Sequence, residues 1–467
     1  MAELINNETL AMILVTIFFI LILYRWSSTS TTTNSSPPSP PKLPIIGNLH
    51  QIGSPRSPLH LSLQALSQVH GPLMLLHFGS VPVLVVSSAE AAQVKSICVL
   101  NLLSNKRVRS FRGVREEETK AMMMKIRDSE GGVVNLRDML LTLTNDVVSR
   151  VALGKSYYSD GVFKELSNEH TELLGSLYVG DYIPWLGWLD RVSGLDASLD
   201  RVAKLFDDFL DIVIQEHMDS TVQKAEDEKD FVDVLLELQQ QHSLGFRIDR
   251  TSIKGVILDM FVAGTDTIAT LAEWTMAEVI KHPKVMSKLQ TEIRDVNKGE
   301  EDILTEDDVI NMHYLNAVIK ETLRLHPPLP LILPRQSTQD VELNGYNIKA
   351  NTQVIVNAWQ IGRDRNSYYK PDEFEPERFL NPNSDKSYKG NDFELIPFGS
   401  GRRMCPGIQF ATAVNEIALA NLLHKFDWTL PTAGGVRSED LDMTEKSGIT
   451  VHKKHPLKVF AAPYSIA

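Results

Sequence analysis

The sequence predicts a mostly α protein with a small β-sheet (α+β), built as one large domain behind an N-terminal membrane anchor. Long helical stretches run from Leu136 to Ile280, interrupted around Tyr182-Ile-Pro-Trp185, while strand character is confined to short runs such as Leu73–Phe78 and Val81–Ser87. A hydrophobic content of 43% supports a large core, and past residue 44 no second linker or internal repeat divides the chain.

The elements follow in chain order. Leu10–Tyr24 is a run of fifteen residues without a charge, which Leu4 and Ile5 extend toward the roughly 20 needed to span a bilayer. Glu3 and Glu8 precede it and Arg25 follows, so residues 1–26 read as a signal anchor that leaves the bulk of the chain on the cytosolic side. Residues 27–44 form a linker: Ser27–Ser36 is almost wholly Ser and Thr, a flexible tether, and Pro37-Pro-Ser-Pro-Pro41 is a stiff extended spacer. The remaining 45–467 form the large domain. Two cysteines in 467 residues suit a reducing compartment and exclude a disulfide framework; Cys98 reads as a packing residue. A net charge of −12 argues against nucleic acid as a partner, and the acidic run Glu226–Asp230 reads as a solvated loop.

The chemistry-bearing residues concentrate late in the chain. Phe398-Gly-Ser-Gly-Arg-Arg-Met-Cys-Pro-Gly407 surrounds Cys405 with glycines that let backbone N–H groups approach the sulfur and favour its anion. Thiolate is the form that binds iron. Ala263-Gly264-Thr265-Asp266-Thr267 sets an acid beside a hydroxyl in the helical segment Gly255–Ile280, where a Thr can bond back to the preceding turn and loosen the ladder. Glu321 and Arg324 lie at i, i+3 on one helical face, Pro327 and Pro328 end that helix, and Pro376-Glu377-Arg378-Phe379 follows downstream.

In order and separation these motifs resemble the cytochrome P450 superfamily, and the stretches 37–50, Lys95–Arg107 and Asp440–Thr444 resemble its plant microsomal A-type group, close to the seventy-first family. The resemblance implies the cytochrome P450 fold, haem b with iron on the axial thiolate of Cys405, and a haem-binding loop that includes Phe398, Arg403 and Gly407. It makes Arg403 and Arg335 partners of the haem propionates, places Asp266 and Thr267 in proton delivery to dioxygen, and makes Glu321, Arg324 and Arg378 a buried structural lock. Leu329–Leu333 reads as an apolar strand along the haem edge, with Leu331, Ile332 and Leu333 toward substrate. Phe261, Ala263 and, on the turn Ser447–Thr450, Ile449 are further pocket residues. Arg402 and Arg403 would make the proximal face basic, a docking site for the acidic NADPH-cytochrome P450 reductase.

The implied activity is monooxygenation of a lipophilic plant secondary metabolite at the endoplasmic reticulum membrane, with membrane lipid and the reductase as partners. One departure bears on it. The family carries a substrate-contacting loop and a W-x-x-x-R/K helix after the first strands, whereas here Val94 runs straight into Lys95, which stands as the surviving basic residue for a haem propionate. Two rival readings follow: an inactive pseudo-enzyme or truncated splice form that lacks the distal roof, and a haem enzyme that rearranges hydroperoxides without dioxygen or reductase. Asp266 and Thr267 argue against the second, because proton delivery is needed when dioxygen is split.

Overall fold

A computed structural model describes residues 37–464 apart from 44, 53–57, 80, 87–102, 130, 158–161, 177, 221–223, 226–227, 242–248, 298–302, 382–385, 432–436 and 447. The segment 1–26, Ser27–Ser36, Lys95, Cys98 and the Val94–Lys95 junction lie outside the described residues.

The helices are α1 (Leu59–His70), α2 (Asn105–Ser110), α3 (Arg112–Arg127), α4 (Leu136–Leu153), α5 (Val162–Leu174), α6 (Val179–Tyr182), α7 (Trp188–Val192), α8 (Leu195–Asp219), α9 (Phe231–Gln241), α10 (Arg250–Lys281), α11 (Pro283–Asn297), α12 (Glu306–Val309), α13 (His313–Leu325), α14 (Ala358–Ile361) and α15 (Ile408–Lys425). The strands are β1 (Leu73–Phe78), β2 (Val81–Val86), β3 (Val133–Asn135), β4 (Arg335–Gln336), β5 (Val341–Leu343), β6 (Tyr346–Ile348), β7 (Gln353–Val356), β8 (Phe426–Thr429), β9 (Glu445–Lys446), β10 (His452–Lys453) and β11 (Lys458–Pro463). Helix therefore dominates, and the expected interruption at 182–185 is a short 3₁₀ turn, Pro184–Leu186, between α6 and α7.

One sheet orders β1-β2-β7-β4: β1 and β2 form an antiparallel hairpin from Leu73↔Val86 to Phe78↔Val81, and β7 runs parallel to β2. β11 pairs with both β3 and β8, and β9–β10 form a two-stranded hairpin near the C-terminus. The proline segment is docked on the first sheet. Leu75 N donates to Pro38 O at 2.9 Å, and the buried Asn48 donates from Nδ2 to Pro40 O and Pro41 O, both at 3.3 Å. The stiff part of the linker thus ends held against the domain.

α10 is the axis of the helical layer. Asp249 caps it by accepting from Ser252 N at 2.7 Å, and from Ile268 to Ile280 every residue is buried. A helix apolar on all sides must be surrounded, and α10 packs against α4, α13 and α15. Among the described residues it is also the one helix long and apolar enough to cross a membrane; its burial in the core accounts for that composition. In α4 the residues Leu136, Leu140, Leu143, Val147 and Val151 repeat at helical spacing and are buried, each contributing about 1.5–3 kcal/mol by leaving water. The two helices approach closely where Gly264 faces Val148: a Cβ on Gly264 would sit 3.1 Å from Val148 Cγ2.

Two expectations are corrected here. Leu329–Leu333 is not a strand: Ile332 has φ +52°, its amide turns back to Leu329 O, and flanking prolines lack the donors a ladder requires, so strand structure begins only at Arg335. Asp230 is not solvated. It is buried, accepting from His217 Nε2 at 3.0 Å and Lys224 Nζ at 2.7 Å, which hold its carboxyl down at about 2 despite the cost of burial.

Candidate active site

The Cys405 loop folds as its glycines allow. Gly399 and Gly401 take φ of +72° and +82°, which side-chain-bearing residues rarely adopt, and the chain returns so that Cys405 N donates to Phe398 O at 2.9 Å. Phe398 packs against the core and against Tyr388, with ring centroids 5.5 Å apart. Gly407 N donates to Cys405 Sγ at 3.3 Å immediately before α15 begins. Among the described residues this is the one amide bonded to the sulfur, fewer than the expected amide-lined cradle. Burial pushes the Cys405 thiol up and the Gly407 amide pulls it only partly back. A metal cation at the sulfur would favour the thiolate.

The same surroundings fit an anionic macrocycle. Arg335 donates from Nη2 to Arg403 O at 2.9 Å, and neither guanidinium has a carboxylate within ion-pair distance among the described residues. Burial and the Arg403 charge both lower the Arg335 pKa. Two like charges side by side without a counter-ion suit an anion, and haem propionates would supply the missing charge.

On α10, Thr267 Oγ1 donates to Ala263 O at 2.6 Å and Thr265 Oγ1 to Phe261 O at 2.9 Å. Thr267 and Ala263, one turn apart, share a face on which Ala263 is exposed. Phe261 is two positions from Ala263, on the other side of the helix, and is buried in the main core; the structure separates it from the other pocket residues. Asp266 Oδ2 is buried without a hydrogen-bond partner, although His452 Nε2 lies 3.2 Å away in ion-pair range. The two facts agree once geometry is considered: the imidazole is close but off the line a straight N–H···O bond needs.

Glu321, Arg324 and Arg378 come together. Arg324 grips Glu321 bidentately, Nε to Oε2 and Nη2 to Oε1, both at 2.7 Å, and Arg378 Nε reaches Oε1 at 3.0 Å. Arg324 also donates to Gly362 O, Pro371 O and Glu373 O, and Glu375 N donates to Glu321 Oε1. With Glu321 0% and Arg324 1% exposed, this is a buried, fully bonded network rather than a surface pair. It fastens α13 to the 362–378 segment.

Leu331 packs with the first sheet, Leu333 is 54% exposed, and Ile449 is half-buried with its amide facing Gly175, just past the end of α5. Sequence reasoning missed His452 and His326. His326 stacks on Trp274 at 4.1 Å and binds Glu278 Oε1 at 2.6 Å, joining the end of α13 to α10. Neither histidine has a motif around it, so only tertiary contact reveals them.

A mostly helical domain that carries a half-buried cysteine on a Gly-rich loop, an arginine pair without carboxylate partners beside it and an acid–hydroxyl pair on its axial helix has the features expected of a haem-thiolate oxygenase. Comparison with known proteins agrees. The model of the Cytochrome P450 family matches residues 37–96 and 92–458, and the chain belongs to that family. It is 58% identical to Cytochrome P450 736A117 of Prunus mume, over 98% of this chain and 96% of that protein. It is 47% identical to Cytochrome P450 71A22 of Arabidopsis thaliana, over 94% of this chain and 96% of the relative. Norfluorocurarine oxidase of Strychnos sp is also 47% identical, over 98% of both chains. The protein is a P450 monooxygenase, and its cofactor is haem with iron bound by a cysteine thiolate.

Proposed function

We propose that the protein inserts one oxygen atom from O₂ into a lipophilic plant secondary metabolite, using electrons from NADPH through NADPH-cytochrome P450 reductase. The observation that carries this reading is the pairing, on one turn of α10, of a Thr267 hydroxyl bonded to Ala263 O with an Asp266 carboxylate whose Oδ2 is buried and unbonded. Cys405 would hold the haem iron, and Arg335 and Arg403 would neutralise its propionates. When bound there, haem supplies the dioxygen chemistry.

The chain's own residues supply placement and protons. Thr267 presents its hydroxyl oxygen on the exposed face of α10, where it orients a water, and Asp266 brings the proton that the water passes on. Ala263, Leu331, Leu333 and Ile449 are the apolar contacts proposed for substrate. The buried Glu321–Arg324–Arg378 network holds the fold behind the site. Residues 1–26 anchor the chain in the endoplasmic reticulum membrane, next to lipid and reductase, and the exposed Arg403 contributes to the docking face.

The test is reconstitution with reductase and NADPH against a panel of lipophilic candidates. Product that requires NADPH and falls in Thr267→Ala supports monooxygenation. Turnover of a hydroperoxide without NADPH, unaffected by Thr267→Ala, supports the rearrangement reading instead.

A second reading is favoured by a specific observation: the family match breaks into two pieces that meet at 92–96, where Val94 joins Lys95. The alignment with the Prunus mume relative spans 508 positions against 467 residues, so at least 41 of them face gaps in this chain. We infer that this is a shortened form without the distal roof. Water would then reach the site and divert activated oxygen to peroxide.

A further inference from the structure

The C-terminal hairpin places a histidine against the acid of α10. His452 Nε2 lies 3.2 Å from Asp266 Oδ2, and His452 Nδ1 lies 2.8 Å from Thr270 Oγ1. The Thr270 hydroxyl gives its single proton to Asp266 O at 2.7 Å, so toward Nδ1 it can only accept. Nδ1 therefore carries a proton, and the Nε2···Oδ2 contact brings a lone pair or an N–H against a carboxyl oxygen. At 3.2 Å, Nε2 is near enough to the carboxyl oxygen to pass it a proton once the contact aligns.

The position is built rather than incidental. On one side of His452, Val451 N donates to Pro328 O and Val451 O accepts from Trp274 Nε1; on the other, Lys453 O accepts from Arg137 Nη2. These bonds tie the strand to α10, α4 and the segment after α13. The ring is 19% exposed, enough to exchange protons with water while it covers an acid that is 17% exposed. Other charged groups near this strand include Lys446, cross-strand from His452, Glu172 of α5, 3.9 Å from Lys446, and Lys453 with the Arg137–Glu273 pair.

We propose that His452 is a positioning and proton-feeding residue for Asp266. His452 Nε2 takes up a proton from solvent through its exposed edge and passes it to the Asp266 carboxylate at Oδ2, and the carboxylic acid so formed gives it to the water that Thr267 orients. The off-line contact straightens as Asp266 turns. This rests on the proposed role of Asp266 in proton delivery.

The test uses the full-length, haem-loaded protein with reductase and NADPH and no added organic substrate, following peroxide release in H₂O and D₂O. His452→Gln and His452→Ala each slow release about tenfold and raise the solvent isotope effect, as Asp266→Asn does, and the double variant is no slower than Asp266→Asn alone. If Asp266→Asn slows release and His452→Gln changes neither rate nor isotope effect, the inference fails while the Asp266 role stands. If Asp266→Asn changes nothing, both fail. A second readout needs no turnover: in urea unfolding of the full-length protein, Asp266→Asn and His452→Gln are coupled about fivefold or more in the unfolding constant. Independent effects within about twofold overturn the contact itself.

Discussion

Arg335 donates its Nη2 proton to the backbone oxygen of Arg403 at 2.9 Å, so that two guanidinium groups stand together with no carboxylate to balance them among the described residues. A lone apoprotein gains nothing from this arrangement. In the proposed function the haem propionates would supply the balancing charge.

Arg335→Ala and Arg403→Ala are therefore expected to weaken haem binding about tenfold or more each, since a hydrogen bond to a charged group contributes about 1.5–3 kcal/mol. The rate of haem transfer to an excess of apomyoglobin measures it. Unchanged transfer rates would remove these arginines from the cofactor site.

Arg324→Ala leaves the buried Glu321 carboxylate with Arg378 as its one charged partner, and breaking a buried pair in this way costs about 3–5 kcal/mol. The variant should accumulate as unfolded or haem-free protein. Urea unfolding within about 1 kcal/mol of wild type would show that the network carries little of the fold.

Thr267→Ala removes the hydroxyl on the exposed face of α10 while preserving helix propensity. Product formation should fall about tenfold and peroxide per NADPH should rise. Equal coupling in the two proteins would mean that protons arrive by another route.

Glu416 on α15 is held protonated up to about pH 7, first by burial and then by the charge of Glu306. The folded state thus keeps this proton where the unfolded chain loses it near 4.5, so stability falls as pH rises between these values and levels off above about 7. Glu416→Gln should match wild type near pH 4 and exceed it by up to about 3 kcal/mol at pH 8. Chemical denaturation at both values checks the sign.

The parts of the protein legible in its sequence are those where local pattern and tertiary role coincide. Gly399 and Gly401 around Cys405, the i, i+3 spacing of Glu321 and Arg324, and the apolar run of α10 each announce a backbone or a face that the fold then uses. Leu329–Leu333 misleads because hydrophobicity suggests a strand where proline and a left-handed Ile332 forbid one. Phe261 misleads because its nearness to the Ala263–Thr267 motif suggests the same face, whereas two positions along a helix turn it to the opposite side. His452 and Asp230 were illegible: their partners Asp266 and His217 are distant in sequence or unremarkable in type, and only packing joins them.

The most direct measurement is the carbon-monoxide difference spectrum of reduced membranes that carry the full chain, beside those that carry Cys405→Ser. A strongly red-shifted Soret band in the first, lost in the second, is the expected result and establishes thiolate ligation by Cys405 in this form of the protein. The same band in Cys405→Ser, or its absence from well-expressed wild type, would contradict the account.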